Sequence, residues 1–183
     1  MTKGAKNIPE SVHRRLLDKA RESSRPFNEL LQYFAIERFI YRIAKSSYAN
    51  RFILKGALMF SAWSGALSRP TMDIDLLGKI DNKLDTITAA IKESCLIEVE
   101  KDGIYFDAET VDAIRITEDA EYEGVRARVH GNMGNQAINQ LSSPGGRVFV
   151  GIALAIEGKH SHELAILDRE AVVSHVGDLE AIL

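Results

Sequence analysis

The sequence predicts an α+β protein with an N-terminal helical segment. A change of pattern carries this. Over most of the chain before residue 100, apolar residues recur at helical spacing; from Ile104 to Val129 the period becomes two. Beyond these, "RVFVGIALAIEG" is one long apolar run suited to a central strand. The 183 residues are 45% hydrophobic and 27% charged with a net charge of −3, which excludes a collagen-like or disordered chain. A slightly acidic balance gives no whole-chain pull toward nucleic acid, so any such binding needs a local basic patch.

The elements follow in order. Residues 1–8 are polar and predict no element. "IPESVHRRLLDKARES" places Pro9 in a first helical turn and Val12, Leu16 and Leu17 on one face. After "SSRP", the residues Phe27, Leu30, Leu31, Phe34, Ala35, Phe39 and Ile43 form a helical stripe wide enough to be firmly buried. We divide the chain here, into a helical segment over 1–48 and a domain over 49–183. Phe52, Ile53 and Leu54 suit a short strand, Gly56 permits a tight turn, and "ALMFSAW" reads as helix. "SRPT" breaks it, and "MDIDLLG" is strand-like, closed by Gly78. "DNKLDTITAAIKESCL" reads as helix with Asp81 or Asn82 near its cap. Ile104 and Phe106, Ile114 and Ile116, and Val125 and Val129 predict three strands, with "EDAEYEG" as a turn between two of them. The segment after Gly158 is weakly patterned, with a short helix at its end.

Asp73 and Asp75 raise the chemical question. In a strand they point the same way, while Met72, Ile74 and Leu76 point into a core. Two carboxylates on one face repel unless something positive sits between them. Mg²⁺ is the simplest answer, since it takes hard oxygen ligands, often one or two carboxylates plus substrate phosphates. Asp-x-Asp alone is common and more often caps a turn or faces solvent, but an ordinary turn would not carry these apolar flanks. Upstream, "FILKGALMF" is a strand–glycine–helix junction, whose backbone N–H groups suit a triphosphate. Arg69 and Thr71, just before the acids, could add phosphate contacts. Taken singly, Lys55 and Arg69 also read as surface charge at an element end.

Together, "RFILKGALMFSAWSGALSRPTMDIDLLG", the helix before it and the later "GVRARVHGNMGN" resemble the AbiEii/AbiGii toxin family of nucleotidyltransferase-like proteins. The shared pattern is a lysine–glycine turn, a helix, then Arg-x-Thr-x-Asp-(Ile/Leu)-Asp-Leu; the resemblance spans roughly residues 10–135. It implies a polymerase-β-like nucleotidyltransferase fold, a small mixed β-sheet flanked by helices. It also implies a toxin of a bacterial toxin–antitoxin or phage-defence system that transfers a nucleotide from an NTP to RNA, as some relatives do to tRNA ends, with Mg²⁺. Carried over residue by residue, Lys55 and Gly56 belong to the turn at the triphosphate, Arg69 and Thr71 support the site, and Asp73 and Asp75 are the catalytic metal ligands. Two departures stand out. Ala57 and Leu58 replace the usual glycine and hydroxyl residue of the first motif. A third carboxylate is expected after "GNMGN", where this chain has "QAINQLSSPGG" with Ser142 and Ser143; Glu157 is the nearest later candidate.

The alternative is therefore a weak or inactive nucleotidyltransferase-like binding protein that has lost its third carboxylate. Expected partners are an NTP, RNA and a cognate antitoxin. No apolar run approaches the ~18 residues of a membrane span, no apolar signal core opens the chain, and the cytoplasm is the expected location. The single cysteine, Cys95, reads as a packed hydrophobe. His160, His162 and Glu163 form a short polar cluster more simply read as a solvated loop than as a zinc site. "HRRLLDKAR" is basic along a helix and reads first as a solvated face.

Overall fold

A computed structural model of the chain describes residues 7–55, 73–119, 122–134 and 147–156. Three α-helices and five strands lie in this part. They are α1 (Ile8–Ser23), α2 (Phe27–Lys45), β1 (Phe52–Lys55), β2 (Asp73–Gly78), α3 (Leu84–Leu96), β3 (Ile104–Asp119), β4 (Tyr122–Met133) and β5 (Arg147–Ile156). The strands form one mixed sheet in the order β1-β2-β5-β4-β3. Only β2 and β5 are parallel; the other neighbours are antiparallel. The α+β architecture with leading helices is the one the sequence predicts, and "RVFVGIALAI" is the central strand.

Local chemistry sets the helix ends. The Asn7 side chain accepts a hydrogen bond from the Glu10 N–H, Pro9 sits in the first turn, and Ser24 closes α1 in the left-handed conformation. Gly103, at φ +78°, lies under that turn: a Cβ there would stand 3.0 Å from the Pro9 Cα. At α3, Lys83, extended and without a side-chain cap bond, precedes the helix, with Asp81 and Asn82 just ahead of it; the Lys83 ammonium pairs with Asp81 at 2.9 Å.

The sheet buries one face under the helices. Ile74, Leu76, Val125, Ala127, Val129, Val150, Ile152 and Leu154 meet Phe34, Ile36, Phe39 and Ile43 of α2 and Ile87 and Ile91 of α3 in one cluster. Cys95 is buried there too; burial pushes its thiol up to about 12, which removes thiolate chemistry near neutral pH.

The pattern around residues 104–116 is corrected: the two short strands expected there are one strand, β3. Its register against β4 shifts between Asp107 and Asp112, so a bulge separates the two apolar stretches. The Thr110 hydroxyl donates to the Asp107 carbonyl at 2.7 Å and accepts from the His130 N–H at 3.0 Å, filling in for the ladder bond the bulge removes.

A buried ion cluster ties α2 to the start of β3. Asp102 accepts from Arg38 Nε at 2.8 Å and from both terminal nitrogens of Arg42, at 2.8 and 3.2 Å. Arg42 also donates to the Arg38 and Ile104 carbonyls. The guanidiniums lie over Tyr41 and Phe106 at 4.6 and 4.9 Å from the ring centroids. The several charge-assisted hydrogen bonds to Asp102 offset part of the cost of burying the cluster.

Candidate active site

Asp73 and Asp75 both belong to β2, and strand alternation puts them on the face away from the helices. Cross-strand registers then define what surrounds them. One row across the sheet reads Asp73, Gly151, Arg128, Asp112; the next reads Lys55, Asp75, Ala153, Arg126, Ile114. A third, apolar row follows: Ile53, Leu77, Ala155, Gly124, Ile116. The face is thus graded from apolar to charged, and the acids lie in its charged part.

Strand β5 makes this arrangement possible. Its large residues Val150, Ile152 and Leu154 go to the core, and its small ones, Gly151, Ala153 and Ala155, form the floor of the acid face. Strands lie about 4.8 Å apart, so the floor is a trough roughly two strand spacings wide between the β2 carboxylates and the β4 arginines. Asp73 leans over it. A Cβ added at Gly151 would collide with the Asp73 carboxyl oxygen and come within 2.9 Å of the carboxyl carbon. Asp73 is exposed, and Asp75, Lys55 and Arg126 are half-buried.

Of the residues the sequence singles out, the structure brings Lys55, Asp73 and Asp75 together, with Lys55 directly opposite Asp75. Gly56, Arg69, Thr71, Ser142, Ser143, Glu157, His160, His162 and Glu163 lie outside the described residues. Arg126, Arg128 and Gly151 are what sequence reasoning missed. Their signals were present: "GVRARVHGN" puts arginines at alternate positions, and "VGIALA" alternates small with large. Such an alternation marks a strand with one packed face and one deliberately bare face.

Asp73 and Asp75 could hold one Mg²⁺, which accepts one or two carboxylates and completes its shell with waters and substrate phosphates. A two-ion clamp needs further converging acids. The residues of β5 that face the pair carry none, and no group of three or more His, Cys, Asp or Glu suited to a metal occurs among the described residues. The donor set among the described residues is therefore the two carboxylates, which suit one ion.

A mixed sheet with helices on one face and an Asp-x-Asp strand beside its central strand defines a nucleotidyltransferase-like protein. The chain belongs to the family described as nucleotidyl transferase AbiEii toxin, type IV TA system, whose model matches residues 38–152. That match runs from the middle of α2, through the acid pair, to the point on β5 where Gly151 faces Asp73. No curated protein matches the chain. No helix among the described residues is long and apolar enough to cross a membrane.

Proposed function

We propose that the chain is the toxin of a type IV toxin–antitoxin pair that transfers a nucleotide from an NTP to RNA, with tRNA as the acceptor and phage defence as the setting. The observation that carries this is the Asp73–Asp75 pair on one face of β2 in a chain of the AbiEii family. Asp73 and Asp75 hold Mg²⁺, which when bound supplies a Lewis acid for the phosphoryl oxygens. Lys55, with Gly56 next to it in sequence, takes the triphosphate on the β1 side; Arg69 and Thr71 precede the acids in sequence and support the same site. The toxin works in the cytoplasm and is held in check by a cognate antitoxin.

One observation favours a second reading, a weak or inactive nucleotidyltransferase-like binding protein. Gly151 and Ala153 stand where carboxylates would converge on Asp73 and Asp75. Ile156 lies opposite Gly78, at the far end of β2 from Asp73, so Glu157 follows β5 beyond the acid pair in sequence. Incubation with each labelled NTP and total tRNA, with and without Mg²⁺, separates the two. Mg²⁺-dependent labelling that Asp75→Asn abolishes supports the enzyme. NTP binding without any labelling supports the binding protein.

A further inference from the structure

We infer that Arg128, with Arg126 beside it, forms the acceptor side of the site: a docking strip on β4 for the phosphate backbone of the RNA. This rests on the proposed transferase reading and deepens it by placing the acceptor.

Three observations converge. Arg126 and Arg128 alternate on β4 and share the face of Asp73 and Asp75. Between them and the acids lies the floor of Gly151 and Ala153, with no side chain larger than a methyl group. Arg128 is exposed, and no hydrogen bond or ion pair engages it among the described residues, although Asp112 on β3 is its cross-strand neighbour. The β3 side of this face reaches solvent, since Ile114, opposite Arg126, is 53% exposed.

The chemistry then assigns the sides. Nucleotidyl transfer is an in-line displacement, with attacking and leaving oxygens on opposite sides of the phosphorus. Lys55, opposite Asp75, lies on the β1 flank of the acids and takes the leaving pyrophosphate. The attacking group must come from the other flank, over β5 from β4. A guanidinium suits a phosphodiester there because its planar fork can donate two hydrogen bonds to one phosphate. The overall acidic chain thus carries a local basic strip on the one flank where an RNA strand has to lie.

The test measures RNA affinity of the full chain over a series of KCl concentrations. Arg128→Gln is compared with Arg115→Gln, which loses the same charge from the opposite face of the sheet, where Arg115 donates to the Asn82 carbonyl at 2.7 Å. Arg128→Gln should weaken binding evenly across RNA sequences and lower the slope of log affinity against log salt by roughly 0.7 to 1, the value for one lost phosphate contact. Arg115→Gln should leave the slope unchanged. Equal slopes for wild type and Arg128→Gln overturn the inference, as does an equal change in both variants. A parallel arm measures binding of a non-hydrolysable NTP with Mg²⁺. If Arg128→Gln loses NTP binding and keeps RNA binding, the arginine serves the nucleotide and the inference falls while the transferase reading stands. If the wild type binds no NTP, the transferase reading falls, and the salt slope still decides the role of Arg128.

Discussion

At Asp102, two guanidiniums close on one carboxylate inside the core; at Asp73 and Asp75, carboxylates and guanidiniums share a sheet face but stand two strands apart. The residue types are the same and the geometry is opposite. The Asp102 cluster has its carboxylate bound by both arginines within 3.2 Å and a ring against each guanidinium. On the acid face Gly151 and Ala153 stand between the β2 carboxylates and the β4 arginines, and nothing larger than a methyl group fills the floor between them. Charge complementarity satisfied internally builds structure, and complementarity kept apart by small residues builds a site.

The largest expected effect breaks the closed cluster. Asp102→Ala leaves Arg38 and Arg42 buried without their carboxylate, and removing one member of a buried ion cluster costs about 3–5 kcal/mol. Urea unfolding of the variant checks this. A loss below about 1 kcal/mol would show that α2 is not pinned through Asp102 and that the contrast with the acid face is false.

A titration sharpens the same comparison. Glu37 is another carboxylate near an arginine, but its Oε1 is buried with no hydrogen-bond partner among the described residues. Burial pushes its pKa up from 4.5 to about 8, with the neighbouring Arg38 pulling the other way. The folded state therefore holds a proton that the unfolded chain has released. Its contribution is fully present below pH 4.5 and is lost as pH rises toward about 8. Unfolding measured across that window should show stability declining with pH, and Glu37→Gln should flatten the decline. A wild-type profile no steeper than that of the variant would show Glu37 to be solvated.

Much of this was legible in the sequence, for a physical reason. The stripe of α2 and the alternation of β4 and β5 are local periodicities, and each follows from which face is buried. The same-face placement of Asp73 and Asp75 is likewise a property of one strand. What was not legible depends on pairing between distant segments. That Gly151 lies opposite Asp73, that Lys55 faces Asp75, and that Arg128 ends the same row are facts of register, set by a parallel pair of strands 78 positions apart at Asp73 and Gly151. The merging of two predicted strands into β3 failed for a related reason. The bulge between Asp107 and Asp112 interrupts the period, while pairing with β4 resumes beyond it and Thr110 bridges to His130 across the gap.

Gly151→Ala probes the floor with a smaller effect. The new methyl group meets the carboxyl end of Asp73, an exposed side chain that can rotate away. Alanine in a strand also recovers roughly 0.5–1 kcal/mol of the backbone entropy that glycine loses. The two terms nearly cancel, so stability should change by less than about 1 kcal/mol. A larger loss in urea unfolding would mean that Asp73 is fixed in its present orientation, and that the trough is packed rather than open.

The smallest expected effect completes the contrast with Asp102. Asp73→Asn keeps the shape of the side chain and removes one of two like charges on neighbouring positions of the same face. Asp73 is exposed at the start of β2, so solvent cushions the loss of its charge. Away from buried networks such substitutions stay within about 0.5 kcal/mol, and relief of repulsion from Asp75 offsets whatever the carboxylate gained from nearby cations. Thermal unfolding without divalent ions should therefore give the wild-type Tm, while Mn²⁺ added to both proteins should raise the Tm of the wild type more than that of the variant, because a ligand that binds the folded state stabilises it by mass action. A large drop in Tm without any ion would assign Asp73 the same structural role as Asp102. Equal stabilisation of the two proteins by Mn²⁺ would remove Asp73 from the metal site.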